Sequence, residues 1–498
     1  MSNAHRNGES NLLASPLVCA YEISAAELLR ALLRLAPSRR VQILDSGGAR
    51  GDSDEARFLI AGFDPFETIE ARGEELLIQR RDETNPRIEH SSSGDGGSLL
   101  SLLDERLAHY RVAREQPAFR LPVAGGACIA SFAYDLARRF QRLRSVAPTS
   151  LAAPEPDAVL AFYDTLIIHD YASGCTHITS VGGEEQVTRA RAALNEARQI
   201  APFDIEINDI EATQTAVSNF TREAYKAAVR RIKEHIYAGD IYQANLTQQF
   251  TCVLAEGDSA ERVFRRLRRE HPASFAAFLR RRDDTVVSAS PERFLRVAWD
   301  ERENAPRVEA WPIKGTRARG VSAGEDARLK DELKTSAKDA AENVMIVDLL
   351  RNDLGRVCRY GSIEVAALCE LQVYPTLFHL VSKVRGLLRE EITAGELLRA
   401  TFPCGSITGA PKLRAMEIID ECETARRGLS MGAIGYFSFD GAVDLSVAIR
   451  TMVVREGTAR FNVGGGIVAE SDPVSEYEES LLKARALLSA LGAKIVFS

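Results

Sequence analysis

Two segments of this chain set carboxylates at spacings that suit a hard cation. In Lys338-Asp339-Ala-Ala-Glu342-Asn-Val-Met-Ile-Val-Asp-Leu-Leu-Arg-Asn-Asp353, the apolar residues Val344, Met345, Val347 and Leu350 mark a partly buried helix. Asp339 and Glu342 stand at i and i+3 on it and share one face. In Asp472-Pro473-Val-Ser-Glu476-Tyr-Glu-Glu479-Ser-Leu-Leu-Lys483, the residues Glu476, Glu479 and Lys483 form one stripe. Asp472 can cap that helix and Pro473 can open it. Mg²⁺ takes a few protein carboxylates and keeps positions for water and an anionic ligand. Two carboxylates about 4 Å apart repel by roughly 4 kcal/mol at an effective dielectric of 20, so convergence of the two helices calls for a cation or protons. Each helix alone also has an ordinary explanation. An acidic first turn complements the helix dipole, and Glu479–Lys483 is a common i,i+4 pair.

Other residues could meet an anion. Phe461-Asn-Val-Gly-Gly-Gly466-Ile-Val reads as a strand running into three glycines. Their N–H groups could approach a carboxylate or phosphate, or the run could be a tight turn. Gly405-Ser-Ile-Thr408-Gly-Ala-Pro411-Lys412 reads as a loop opening a helix with Pro411 near its first position, and it lacks P-loop spacing. A strand over Ser446–Val454 would place Arg450 among small residues, free to present its fork to a carboxylate or to make a cross-strand ion pair. In Trp311-Pro-Ile-Lys314-Gly-Thr316 a single lysine lies between apolar residues and a glycine. An ordinary lysine amine is neutral only about once in 2,000–3,000 molecules at pH 7. A nucleophilic one needs burial, a nearby cation or a base.

These residues need a scaffold. Strands are expected at Val41–Leu44, Arg57–Ala61, Ala127–Tyr134, Val159–Ile168, Phe275–Leu279, Thr285–Ser290, Leu377–Val384, Ala433–Phe439, Ser446–Val454 and Ala459–Val463. Helices are expected at Arg222–Ala238, Glu325–Leu350 with a possible break, Glu396–Thr401, Ala410–Cys422 and Pro473–Leu491. Thr221 can cap the first and Gly239 end it. Strands do not alternate with helices, and short turns such as Phe439-Asp-Gly441 link several of them. That favours an α+β fold with large antiparallel sheets over a doubly wound one. The chain divides into a polar N-terminus expected to be disordered (1–14), a first region (15–205), an acidic linker (206–221) and a second region (222–498). Ser91–Gly97 reads as a small polar loop.

With 498 residues, 45% hydrophobic and 27% charged, the chain can bury a large core without disulfides. Its 63 basic and 70 acidic residues give a net charge of −7, which excludes a general nucleic-acid binder. No apolar run of about 18 residues points to a membrane span, and Met1–Ser10 lacks the apolar centre of a signal peptide. Eight cysteines without zinc spacing read as reduced thiols, so a cytoplasmic location is expected.

Taken together, these segments resemble the chorismate-utilising enzymes, the family of anthranilate synthase component I and its relatives. The resemblance is carried by Gly239-Asp-Ile-Tyr-Gln-Ala-Asn-Leu, Ser290-Pro-Glu-Arg-Phe, Pro312-Ile-Lys-Gly-Thr, Ala341-Glu-Asn-Val-Met-Ile-Val-Asp-Leu-Leu-Arg-Asn-Asp, Gly405-Ser-Ile-Thr-Gly-Ala-Pro-Lys, Ala448-Ile-Arg-Thr and Gly464-Gly-Gly-Ile-Val, in the family's order. Ile43-Leu-Asp-Ser-Gly47 and Gly126-Ala-Cys-Ile-Ala-Ser-Phe-Ala-Tyr-Asp135 resemble the N-terminal region of the amino-transferring branch. The implied fold is two intertwined halves whose antiparallel sheets form a sandwich, with helices packed outside. Gln243 stands where water-adding members carry a lysine, which argues against hydroxylation at C2. Lys314 stands where anthranilate synthases usually have alanine, and a lysine there marks the branch that forms 4-amino-4-deoxychorismate. Leu44-Asp45-Ser46 departs from the Leu-Leu-Glu-Ser of tryptophan feedback.

The resemblance implies the roles. Mg²⁺ would hold the ring carboxylate of chorismate, with Glu342 and Glu479 as direct ligands and Asp339 and Glu476 acting through water. Arg450 and the Gly465 and Gly466 amides would hold the enolpyruvyl carboxylate, with Tyr436 and Lys483 nearby. Thr408 and Gln243 complete the substrate-binding set. Lys314 would attack C2 while Glu292 protonates the departing C4 hydroxyl, and ammonia would then add at C4. His379 matches the family's active-site histidine. No Gly-x-Cys-x-Gly nucleophile elbow is present, so ammonia is expected from a separate glutaminase subunit. With no lyase segment after Ser498, the expected product is aminodeoxychorismate, made by amino transfer and destined for 4-aminobenzoate and folate or for a specialised metabolite. One alternative is an anthranilate synthase large subunit. Another is a non-catalytic regulatory subunit, against which the full set Glu292, Lys314, Glu342, Arg450 and Glu479 counts.

Overall fold

The computed structural model describes residues 15–48, 57–83, 85–90, 97–113, 121–123, 125–141, 143, 155–200, 213–373 and 377–496. The expected disordered segment 1–14, residues 91–96 of the polar loop and residues 206–212 of the expected linker lie outside the described residues. Strands apolar on both faces need cover on both faces. Ala127–Phe132, Ala158–Tyr163 and Ala433–Ser438 are buried at every position. They lie side by side near the middle of a 12-stranded sheet, which faces a 13-stranded one. The pairing of Gln214–Ser218 with Ala493–Val496 is parallel, and the pairs that build the site are antiparallel.

Between the sheets, Ile60, Ile168, Leu279 and Val286 from one pack on Ile129, Ala161, Tyr163 and Ile434 from the other. Helices Ala25–Arg34, Glu184–Gln199, Ala260–Glu270 and Pro473–Leu491 cover the 13-stranded sheet. Gly97–His109, Ala337–Gly355 and Ala394–Thr401 cover the other. This is the expected α+β sandwich with helices outside. Each sheet also draws strands from both regions of the chain, so the halves share one core. Residues 206–221 are not all linker: Gln214–Ser218 pairs with Gln243–Val253. None of the described helices is long and apolar enough to cross a membrane.

The chain changes sheets within a few residues at Gly62–Glu67, Tyr163–Thr165, Ser290–Arg293 and Val447–Thr451. Two expected strands therefore divide. Val159–Ile168 becomes Ala158–Tyr163 and Thr165–Asp170, one in each sheet. Ser446–Val454 becomes Val443–Val447 and Thr451–Arg455, again one in each. Both members of each pair are largely buried, so the apolar run continues through the crossing and hides it. The helix expected over Glu325–Leu350 does break. Ser336 ends Ala323–Thr335 and caps Ala337–Gly355 by accepting from the Asp339 N–H. The helix expected from Ala410 begins at Lys412 with Pro411 as its N-cap, because Gly409–Ala410 pairs as a strand with Gln243 and Ala244.

Candidate active site

Two sheet crossings lie against each other and carry Glu292 and Arg450. The Val447 N–H donates to the Glu292 carbonyl at 3.0 Å, and the Ala289 N–H donates to the Arg450 carbonyl at 3.0 Å. Glu292 is 6% exposed, and its Oε1 has no hydrogen-bond partner among the described residues. Burial pushes its carboxyl up to about 7, against the pull of the Ser406 hydroxyl and the Lys314 charge. Arg450 is not on a strand face. It sits at a left-handed kink, φ 47°, between Val443–Val447 and Thr451–Arg455. Burial holds its guanidinium below the usual range, and no carboxylate among the described residues offsets that. A strained, half-buried cation without an acidic partner suits an external anion better than the cross-strand ion pair. Arg450→Met should therefore weaken binding of an anionic substrate 10- to 100-fold without lowering the melting temperature. Steady-state KM and a thermal melt check the two halves of this expectation.

Lys314 lies on Ile313–Ala318, whose register against Leu377–Leu387 shifts between Ile313 and Thr316. A bulge of this kind re-aims a side chain. Gly315 adopts φ +83°, and a Cβ there would stand 2.9 Å from Leu333 and 3.0 Å from Asp339, so the bulge requires glycine. Lys314 Nζ approaches the Ser406 carbonyl at 3.5 Å, and its charge acts on Glu292, Glu342 and Glu479 together. His379 Nδ1 and the Thr316 hydroxyl are 2.8 Å apart, and the ring also hydrogen-bonds the Gly315 backbone. Burial, aided by Arg450, holds His379 down at about 4, so it is a neutral imidazole at neutral pH. Its bonds fasten the two residues that follow Lys314.

The helices Ala337–Gly355 and Pro473–Leu491 bring their carboxylates together. Burial raises the Glu342 carboxyl, and Asp339 and Glu476 add to the rise while Lys314 and Lys338 oppose it. Burial raises Glu476, opposed by the Ser471 hydroxyl and reinforced by Glu479. Burial would raise Glu479 too, but Lys483, Lys338 and Lys314 more than offset it and pull it down. Lys483 Nζ donates to Glu479 Oε1 at 2.8 Å and to the Gly464 carbonyl at 2.9 Å. Arg317 pairs with Asp339 at 3.3 Å, and the Ser471 hydroxyl donates to Glu476 Oε1 at 2.6 Å. Among the described residues no three His, Cys, Asp or Glu side chains are grouped closely enough to enclose a metal ion. The donors still fit Mg²⁺. They are carboxylate oxygens only, Asp339 and Glu476 raise the proton affinity of Glu342 as Glu479 raises that of Glu476, and Lys338 and Lys483 pair with Glu476 and Glu479.

The three glycines do not make a turn. They lie within the strand Thr458–Ile467, opposite Thr247, Leu246 and Asn245 of Gln243–Val253. A Cβ on Gly464 would stand 1.8 Å from the Leu246 carbonyl, and one on Gly466 would stand 2.4 Å from Gln243 Nε2. A Cβ on Gly465 would point at Glu476, Lys483 and Glu479. The other edge of this strand is laddered to Thr451–Arg455 only as far as Arg460, which leaves room for an anion beside the Gly466 amide, on the same edge as the Asn462 N–H. The Gly465 amide, expected to join it, faces Leu246 across the ladder instead. Gln243 is fully buried, with neither side-chain amide atom hydrogen-bonded among the described residues. Its neighbour Asn245 likewise leaves Nδ2 without a partner.

Two expected substrate contacts stand differently. The Thr408 hydroxyl donates within its own loop, to the Cys404 carbonyl at 3.0 Å. Tyr436 does not join the group. It faces a separate cavity of about 370 Å³ with Asp45, Ser46, Phe275 and Arg293, and its hydroxyl reaches the Pro122 carbonyl at 3.4 Å. Side chains alternate along Ala433–Ser438, and the register there points Tyr436 between the sheets instead. Asp45 in that cavity is held by Tyr171 and Arg268. Ser406 was the residue missed. It lies inside a quoted motif, but nothing in spacing alone separates its role from that of Thr408.

A family model described as chorismate binding enzyme matches residues 51–489. Aminodeoxychorismate synthase component 1 of Klebsiella aerogenes is 39% identical over 430 residues, covering 86% of this chain and 90% of that protein. The protein of the same name from Escherichia coli K12 is 38% identical over 449 residues, covering 90% and 92%. The crystal structure of anthranilate synthase component I from Streptococcus pneumoniae superposes with a TM-score of 0.71 at 29% identity, covering 88% of this chain and 93% of that one.

Proposed function

This chain belongs to the chorismate binding enzyme family, and from that premise we propose that it aminates chorismate at C4 to give 4-amino-4-deoxychorismate. The observation that carries this reading is Lys314, borne on a bulge where the anthranilate branch has alanine and surrounded by Glu292, Glu342 and Glu479. The relatives named aminodeoxychorismate synthase component 1 support the same branch.

Arg450 and the glycine-strand amides orient the substrate through its enolpyruvyl carboxylate. Glu342 and Glu479 would hold Mg²⁺, with Asp339 and Glu476 behind them, and the ion when bound supplies positive charge for the ring carboxylate. The Lys314 amine, unprotonated, forms a bond to C2 as the C4–oxygen bond breaks. Glu292, protonated in about half of the molecules at pH 7, gives its proton to that oxygen, which leaves as water. Ammonia then bonds to C4, the C2–nitrogen bond breaks, and Lys314 departs as a free amine. The Glu292 carboxylate takes the surplus proton from the new C4 ammonium and is restored. His379, neutral, holds the Gly315–Thr316 turn and moves no proton.

A component 1 implies a second component, and the glutaminase expected from the sequence is the reagent's natural source. The pathway would then run through 4-aminobenzoate to folate. The test supplies purified chain with chorismate, Mg²⁺ and ammonium, and identifies the product by chromatography. Aminodeoxychorismate is the expected product. Anthranilate as the only product would overturn the proposal and favour the lyase branch.

A further inference from the structure

We infer that Arg427, which touches none of the reacting groups, is a positioning residue that sets Ser406 against Lys314 and Glu292. The inference rests on the proposed function for its reaction, but its geometry stands apart from it. Arg427 is 3% exposed. Its Nε and Nη2 grip Glu423 at 2.9 and 2.7 Å, Nη1 donates to the Ile407 carbonyl at 2.9 Å, and Nη2 donates to the Asn245 carbonyl at 2.5 Å. The guanidinium lies over the Tyr134 ring, 4.4 Å from its centroid. Glu423 Oε1 in turn accepts from the Thr247 N–H at 2.7 Å and the Thr247 hydroxyl at 2.8 Å. One planar fork therefore ties the loop Cys404–Thr408 to the strand Gln243–Val253, beside the Asn245 N–H that donates to the Thr408 carbonyl at 2.7 Å.

Ser406 directly precedes the tied Ile407; its carbonyl faces Lys314 Nζ at 3.5 Å and its hydroxyl draws the Glu292 carboxyl down. The groups facing Glu292 are Lys314 from the bulged strand and Ser406 and Cys404 from the loop. A lysine at 427 keeps the charge but cannot hold both carbonyls and both Glu423 oxygens at once. The loop would then drift, and Glu292 would lose the Ser406 hydrogen bond that draws its proton affinity down.

The test compares wild type, Arg427→Lys and Glu423→Gln as full-length chains, using chorismate with ammonium chloride. Arg427→Lys should lower kcat 10- to 100-fold with KM for chorismate within threefold. The pH at which activity falls away should rise by about half a unit or more. Glu423→Gln should move both in the same direction by less, which keeps the test open should Arg427→Lys fail to fold. A kcat within threefold of wild type, or a lowered kcat with the pH limb unmoved, would overturn the inference. If wild type forms no covalent adduct yet the limb still shifts in the variants, the clamp stands and the lysine route falls.

Discussion

Lys314→Ala should move the new amine from C4 to C2. On the proposed route, two displacements at the ring, the first by Lys314 and the second by ammonia, return nitrogen to the carbon that lost oxygen. With the lysine gone the first displacement has no internal nucleophile, and ammonia takes its place at C2, once. Loss of a positioned covalent nucleophile should also lower formation of 4-amino-4-deoxychorismate by at least about 10³-fold. Intact-mass analysis of wild type with chorismate and no ammonium should show a gain of one chorismate less one water, absent in the variant. Wild type without that gain, or a variant that still aminates C4 at an undiminished rate, would defeat the covalent route. The variant should fold normally. Lys314 is half-buried, and its one described hydrogen bond is the 3.5 Å approach to Ser406.

Much of this site was legible because its chemistry sits in short motifs. The acid stripes Asp339–Glu342 and Glu476–Glu479–Lys483 followed from helical spacing alone, and the two helices do converge. What spacing could not show is where the chain changes sheets. Val443–Val447 and Thr451–Arg455 are buried on both faces, so the run through Arg450 reads as a single strand. The kink that frees Arg450 from a ladder is a property of two sheets meeting, not of the local pattern. The three glycines misled for a similar reason. Glycine disfavours strands, yet here the Leu246 carbonyl and the Gln243 side chain come too close for any Cβ. Arg427 was hidden by composition. Arg426-Arg427 reads as a solvated basic pair, while the fold drives the second guanidinium into the interior against Glu423 and Tyr134. Tyr436, which the resemblance places near the substrate, faces the separate cavity between the sheets, because alternation along Ala433–Ser438 decides which face its side chain takes.

Glu292→Gln should lower activity while raising stability, a combination that separates a working acid from a structural one. With its carboxyl pushed up to about 7 and an ordinary value near 4.5 in the unfolded chain, the folded protein keeps a proton that the unfolded chain releases. Between these values each rise in pH favours the unfolded state, and stability falls until the folded carboxyl too is ionised. Above pH 7 the wild type thus carries a penalty of about 3 kcal/mol, which a glutamine of the same shape avoids. Denaturant unfolding should show a pH-dependent loss between about pH 4.5 and 7 that is smaller in Glu292→Gln. Activity should respond the other way. Removal of a positioned general acid costs about 10²- to 10⁴-fold, and the wild-type kcat should fall as pH rises through about 7, where the proton needed by the departing hydroxyl is lost. A variant that keeps wild-type turnover would remove Glu292 from the chemistry. A variant that loses stability at pH 8 would mean that the carboxylate is held by partners it lacks in this structure.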